Sequence, residues 1–219
     1  MAGTGARVER VRTNGTFSID GENFDVENNV WLIGDDQEVV VVDAAHDAAP
    51  IAAAIGDRRL VAVVCTHGHN DHVNAAAALA DRYDGAPILL HPADRMLWDV
   101  VYPDRPPDGD LGEGQVISVA GIDLTVRHTP GHSPGGVCLI DEDGTLGADE
   151  PVVFGGDTLF NGGPGATGRS FSDFATIIES ITNRLFVLPP ETVVHTGHGD
   201  DTSVGAEAPH LDEWIARGH

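Results

Sequence analysis

The β-branched run 60–64 leads straight into Thr66-His67-Gly68-His69-Asn70-Asp71-His72, which packs three imidazoles and a carboxylate into six residues just ahead of a helical segment. A strand end can turn such side chains toward one point, and connections there are where a scaffold places its chemistry. Imidazole and carboxylate without thiolate suit zinc, in the kind of site that keeps a coordination position open for water. Taken alone, the run also fits a solvent-exposed His/Asp cluster. Three further strand ends repeat the arrangement: His132 follows 122–126 in His128-Thr129-Pro130-Gly131-His132, Asp157 follows 152–154 in Gly155-Gly156-Asp157-Thr158, and His198 follows 192–194 in Thr196-Gly197-His198-Gly199. Four strand ends can thus converge on one site, and His67, His69, Asp71, His72, His132, Asp157 and His198 are enough for two metal ions.

Short apolar runs bounded by Gly, Asp or Pro predict strands at 30–33, 39–42, 60–64, 87–90, 122–126, 137–140, 152–154 and 192–194. Helical segments are predicted at 48–55, 73–83, 93–100, 174–185 and 211–216. Some strands are adjacent and others are separated by helices, which favours a layered α/β domain over a simple doubly wound sheet. No linker divides residues 1–219, so a single domain is expected. The Pro/Asp/Gly-rich stretch 103–114 reads as a rim or flap, and Ser170 with Asp173 three residues on reads as a capping box that starts a helix.

Charge narrows the partners. Twelve basic residues against 35 acidic ones give a formal net charge of −23, which argues against nucleic acid and anionic membranes and leaves a small-molecule substrate. Every basic residue is Arg; without Lys there is no Schiff-base chemistry and no Walker-type phosphate loop. No stretch approaches the ~20 apolar residues of a membrane span, and the charged 1–12 segment has no secretory apolar core, so a cytoplasmic protein is expected. Cys65 and Cys138, each set among apolar residues, read as buried reduced thiols.

Two motif matches do not carry function. Gly131-His132-Ser133-Pro134-Gly135 fits the nucleophile elbow of serine hydrolases, but the elbow needs a helix after the Ser, and here a strand follows. Gly163-Pro164-Gly165-Ala166-Thr167-Gly168 fits the dinucleotide fingerprint, but the next strand ends on His195 rather than on an acidic residue. A Gly-rich loop lining the substrate site is the better reading.

The order of motifs, Asn28-Asn29-Val30-Trp31-Leu32-Ile33 with 39–43, the HxHxDH run, His132, Asp157 and His198, resembles the metallo-β-lactamase fold superfamily over nearly the whole chain. The resemblance implies a four-layer αββα sandwich with its site at one edge between two sheets. It implies that His67, His69 and His132 bind one metal, that Asp71, His72 and His198 bind a second, and that Asp157 bridges them. Asp43 would orient a ligand imidazole from behind; a turn-capping role is the alternative. His128 to Gly135 and Gly156 to Phe160 look most like the glyoxalase II and thioesterase branch. The chain stops soon after His198, without the helical domain that holds glutathione in glyoxalase II, which points away from glutathione. Neither is there the long insertion of the nucleic-acid-cleaving branches.

The implied activity is thioester hydrolysis, in which two zinc ions lower the pKa of a bridging water toward ~7 so that hydroxide attacks the carbonyl, with Asp71 as the catalytic residue orienting it. The alternatives are a mononuclear iron persulfide dioxygenase using His67, His132 and Asp157, a lactone or β-lactam hydrolase, and an inactive metal-binding module. Arg169, after the Gly-rich loop, is a candidate clamp for a substrate carboxylate, with a surface Arg as its alternative. His128 and His195 lie near ligands without an assigned role, whereas His46, His91, His210 and His219 show no partner pattern. Trp98 and Tyr102 would wall the pocket or anchor the 103–114 loop. An Ala-, Gly-, Asp- and Arg-rich chain without Lys suits a GC-rich genome; an actinobacterial source would make S-acyl or S-formyl mycothiol the substrate.

Overall fold

The run Val39-Val40-Val41-Val42 builds two interfaces at once. Successive side chains of a strand point to opposite faces. In the computed structural model, which describes residues 5–147 and 149–218, Val39 and Val41 pack outward against helices, while Val40 and Val42 pack inward against a second sheet. A strand buried on both faces therefore reads as continuously apolar rather than alternating.

In chain order the elements begin with strands β1 (Arg7–Ile19), β2 (Glu22–Gly34) and β3 (Glu38–Val42), helix α1 (Ala48–Ile55), strand β4 (Arg59–Val64), helices α2 (Asn70–Val73) and α3 (Ala76–Arg82), strand β5 (Ile88–Leu90) and helix α4 (Arg95–Val101). Strands β6 (Gly109–Asp110), β7 (Val116–Val119), β8 (Ile122–His128), β9 (Val137–Asp141), β10 (Val152–Gly156), β11 (Leu159–Phe160) and β12 (Gly163–Pro164) follow. Helix α5 (Phe174–Ser180), strands β13 (Val193–Thr196) and β14 (Thr202–Ser203), and helices α6 (Val204–Glu207) and α7 (Leu211–Arg217) complete the fold.

One sheet has the order β1-β2-β3-β4-β5-β6 and the other β14-β13-β10-β9-β8-β7. Their facing sides share a core in which Trp31, Val40 and Val64 meet Leu124, Leu139 and Phe154. On the outer side of the first sheet, Ile51, Leu79 and Trp98 come from α1, α3 and α4; on the outer side of the second, Ile177, Ile181 and Trp214 cover Ile140 and Val153. This is the expected αββα sandwich. At one end, backbone hydrogen bonds join the sheets: Asn29 N to Gly197 O and Val137 N to Thr66 O, both 2.8 Å. The loops that follow β4, β8, β10 and β13 meet there.

Local details depart from the sequence reading. The hairpin of β1 and β2, paired from Arg7↔Gly34 to Ile19↔Glu22, was not expected over most of its length, because its charged and polar residues leave no apolar run. Its tip carried the available signal: Asp20 and Gly21 both have positive φ (52° and 78°), as a two-residue hairpin turn requires of an Asp-Gly pair. The helix predicted at 73–83 is two, α2 and α3. Asp173, not Ser170, caps α5, its side chain accepting from Thr176 N. The helical path then continues through a π-helical turn, Ile181–Leu185. The 103–114 stretch contains the short edge strand β6, and Trp98 Nε1 anchors it by donating to the Arg105 carbonyl at 2.6 Å.

Candidate metal centre

Three of the imidazole nitrogens facing the centre of the site are assigned by what holds the other one. His72 Nδ1 lies 2.9 Å from Asp43 Oδ2, His132 Nδ1 lies 2.8 Å from the Ala166 carbonyl, and His198 Nδ1 lies 2.8 Å from the Glu27 carbonyl. Only a protonated Nδ1 can satisfy an oxygen acceptor, so the three Nε2 atoms are the ones that can present lone pairs to a metal ion that displaces their protons. With the other candidate ligand atoms they gather in two groups, besides a set of Asp43, His67 and His72 in which Asp43 meets His72 at Nδ1. His67, His69 and His132 form one and Asp71, His72 and His198 the other, each with its ligand atoms within 4.8 Å of one another.

In the second group, His72 Nε2 and His198 Nε2 are 3.2 Å apart, Asp71 Oδ2 is 3.3 Å from His198 Nε2 and 3.5 Å from His72 Nε2. Tetrahedral ligands at the ~2.0–2.1 Å typical of zinc are separated by about 3.4 Å. Asp157 lies between the groups, with Oδ1 3.4 Å from His72 Nε2 and Oδ2 3.5 Å from both His132 Nε2 and His198 Nε2. His67 Nε2, Asp71 Oδ1 and Asp157 Oδ1 are buried without a hydrogen-bond partner. Buried polar atoms are seldom left so, and a cation satisfies them. In the first group His69 Nδ1 and His132 Nε2 converge at 3.0 Å. The residues present fit two divalent ions.

The carboxylates' demand for positive charge appears in the protonation of the cluster. Burial alone would lower His198, but Asp157 and Asp71 raise it to about 10. Burial would raise Asp71, yet His72 and the hydrogen bond from His198 bring it down to about 2. Burial pushes His69 down to about 3, with His132 adding to the effect, and it lowers His67 as well. A metal ion that displaces the protons held on such imidazoles takes over their charge-balancing role.

Asp43 ends β3 with φ 58°, a left-handed conformation that Asp tolerates better than most residues. The bend aims its carboxylate at three donors: Thr66 N and Thr66 Oγ1, each at 2.7 Å, and His72 Nδ1. It thereby fixes the tautomer and tilt of a second-group imidazole. Asp43→Ala is expected to weaken divalent-metal binding at the second group by roughly 10–100-fold, the usual consequence of losing such a partner. Competition against a chromophoric chelator measures this; an unchanged affinity would remove Asp43 from the role.

Several residues in the site's support carried no sequence signal. Asp94, fully buried, accepts from Gly68 N and Ser133 Oγ through Oδ2 (2.8 and 2.7 Å) and from Gly135 N through Oδ1 (2.5 Å). It ties the loop of His67 and His69 to that of His132. A Cβ at Gly68 or Gly135 would come within 2.9 or 2.7 Å of Asp94, so both glycines are required by close approach. Asn28 donates through Nδ2 to Asp71 Oδ2 at 3.1 Å, and its Oδ1 is 2.8 Å from His46 Nε2. His46, which showed no partner in the sequence, therefore braces the site through Asn28.

Other candidates lie elsewhere. His128 is 3.0 Å from the Pro134 carbonyl and stacks on His91 at 4.1 Å, while His195 pairs with Asp201 at 3.0 Å and packs 4.3 Å from Trp31. Neither joins a ligand group. Arg169 forms an ion pair with Glu22 and lies 5.5 Å over the Phe24 ring, holding the hairpin tip. Ser133 is buried against Asp94, and the Gly-rich loop supplies the carbonyl that holds His132. The thiols of Cys65 and Cys138 are free and buried. Among the described residues no helix is long and apolar enough to cross a membrane.

A family model described as the metallo-beta-lactamase superfamily matches residues 24–198. The hydroxyacylglutathione hydrolase GloC of Haemophilus influenzae is 30% identical over 199 residues, covering 83% of this chain and 90% of GloC. Among solved structures, the BLEG-1 B3 metallo-beta-lactamase superposes with a TM-score of 0.74 at 26% identity, covering 91% of this chain and 98% of that one. TTHA1623 in a di-iron-bound form has a TM-score of 0.68 at 31% identity, with 90% and 96% covered.

Proposed function

The chain belongs to the metallo-β-lactamase superfamily, and from that premise we propose that it is a two-metal hydrolase of a thioester of a small thiol. The observation that carries this reading is the pair of three-ligand groups with Asp157 reaching imidazoles of both. His67, His69 and His132 would hold one ion, Asp71, His72 and His198 the other, and Asp157 would contribute to each. When bound, two divalent ions supply an activated water and an electrophile for the substrate carbonyl.

The chain's own residues do the rest. Asp71 stays ionised at neutral pH, and its carboxylate, steadied by Asn28 at Oδ2, would accept a hydrogen bond from the attacking water and so orient it. His132 and His198, whose side chains are 13% and 25% exposed against 0% for His72, mark the open face by which substrate enters. No serine or cysteine nucleophile is needed: Ser133 is committed to Asp94, and burial raises both thiols.

GloC supports the thioester class, since its substrate is a hydroxyacylglutathione. This chain covers 90% of GloC, so a missing helical domain is no argument against glutathione, and glutathione joins mycothiol and coenzyme A as a carrier to be tested. A reducing cytoplasmic setting suits both a small thiol and the free Cys65 and Cys138. Two other readings each rest on a neighbour. The di-iron form of TTHA1623 supports iron in such a centre, as two ions rather than the one of the persulfide dioxygenase reading, and BLEG-1 supports β-lactam hydrolysis.

Metal content decides first. Protein expressed without added metal and purified without chelator is expected to carry about two zinc ions per chain by plasma mass spectrometry. Chelation should abolish hydrolysis of glutathione, mycothiol or coenzyme A thioesters, and zinc should restore it. One iron per chain, with oxygen uptake on a persulfide and no thioester turnover, would overturn the proposal.

A further inference from the structure

One cleft in the fold combines contact with the metal-binding residues, an apolar lining and room for a ligand. About 190 Å3 in volume, it is lined by His69, by Ile19 at the hairpin tip, by Leu97, Val100 and Val101 on α4, and by Phe171. A second cavity at the candidate ligands, beneath His67 and Asp157, is about 10 Å3, space for little more than one water.

The walls of the cleft are fixed from several sides. Asn70, next to His69, clasps β1 by accepting from Ser18 N at 2.8 Å and donating to the Thr16 carbonyl at 2.7 Å. The turn residue Asp20 accepts from Ser170 N at 3.1 Å, and Arg169 pairs with Glu22 across the same junction. Phe171 has φ 69°, a strained backbone for a bulky residue, and is 57% exposed; Val100 is 81% exposed. Apolar side chains so presented beside a catalytic centre gain free energy when a ligand covers them.

The electrostatics select the ligand further. Asp20 is the only ionised carboxylate lining the cleft, no Arg lines it, and Arg169 nearby is neutralised by Glu22. An anionic group would meet repulsion there in a molecule whose net charge is −23. Thiol carriers bear carboxylates, phosphates or sugars, whereas acyl groups can be neutral and apolar.

We infer that this cleft is the acyl pocket of the enzyme, accepting an uncharged aliphatic acyl chain of several carbons while the polar thiol carrier lies on the open side of the metal centre. This assignment rests on the thioester reading. It makes Ile19, Leu97, Val101 and Phe171 determinants of chain length and charge preference.

The test uses the metal-loaded full chain and acetyl, butanoyl, hexanoyl and succinyl thioesters of N-acetylcysteamine. Burying a methylene contributes about 0.8 kcal/mol, so kcat/KM is expected to rise up to about fourfold per added methylene and to fall at least tenfold from butanoyl to succinyl. Val101→Trp, which fills the cleft, should lower the hexanoyl-to-acetyl ratio at least tenfold. A flat chain-length profile, a preference for succinyl, or an unchanged ratio in Val101→Trp would overturn the assignment. Methyl NMR on the wild-type chain gives a readout independent of turnover and of the variant's folding. Hexanamide should shift the methyls of Ile19, Leu97, Val100 and Val101 saturably, and anionic succinamate should not. Absence of thioester turnover with those shifts present refutes the reaction class and leaves the apolar pocket; absence of the shifts refutes the pocket.

Discussion

Replacing Asp71 by alanine is expected to give a folded protein that binds about one metal ion per chain instead of two and hydrolyses its thioester more than ~100-fold more slowly. Loss of a partner behind a metal ligand already costs roughly 10–100-fold, and Asp71 is placed as a ligand itself. Its Oδ2 completes the second group with His72 and His198, and without it those two imidazoles, 3.2 Å apart, lose the adjacent anion. The first group of His67, His69 and His132 stays intact, so one ion is retained. Folding should survive, because Asp71 Oδ1 makes no hydrogen bond and Oδ2 engages only groups of the site itself, the Asn28 amide and the His72 and His198 imidazoles. Metal analysis and kcat/KM on the same preparation check both halves. Full activity in Asp71→Ala would sink the two-metal hydrolase, whereas retained oxygen consumption with loss of one metal would favour a one-iron dioxygenase.

Asp94→Ala should affect stability and metal binding together. Its carboxylate is the shared acceptor of Gly68 N, Ser133 Oγ and Gly135 N. An orphaned buried donor costs about 1–3 kcal/mol; with water entering part of the space, the loss is expected to be about 3 kcal/mol. For a chain of this size that lowers the Tm by roughly 6–12 °C. Because the three donors lie in the loops of His67, His69 and His132, the first metal site should also loosen, by roughly 10–100-fold in affinity. Burial opposes this carboxylate's charge and raises its pKa, so an uncharged acceptor is a fair replacement on one side: Asp94→Asn keeps one oxygen and turns its amide toward the other donors, and its Tm should fall between those of Asp94→Ala and wild type. Thermal unfolding with and without zinc measures both effects. A purely structural Asp94 would lower the Tm in Asp94→Ala and leave the zinc affinity of the folded fraction unchanged.

Much of the site was legible because its information is local. Each candidate ligand follows a strand end, and a β-branched run followed by Gly with His or Asp is visible in a short window of sequence, as at 60–72, 152–158 and 192–198. The hairpin of β1 and β2 was missed for the converse reason. Its residues are polar and mostly solvent-facing, so it lacks the apolar periodicity that marks a strand, and only Asp20-Gly21 betrays the turn. The cap of α5 slipped although its predicted start at 174 held: Asp173, rather than Ser170, reaches Thr176 N.

The sequence by itself determined the layered α/β class and the order of the metal-binding residues, since both follow from side-chain type and short-range spacing. Only the tertiary structure decided which of those residues gather into one group able to hold an ion, that Asp94 joins two loops of candidate ligands 26 and 41 residues away, that His46 braces Asp71 through Asn28, and that Arg169 is spent on Glu22. The physical reason is that a hydrogen bond between residues far apart in the chain, such as His198 to the Glu27 carbonyl at a separation of 171, is created by chain topology. It requires only that a donor and an acceptor arrive at the same place, and no periodicity or composition records that arrival.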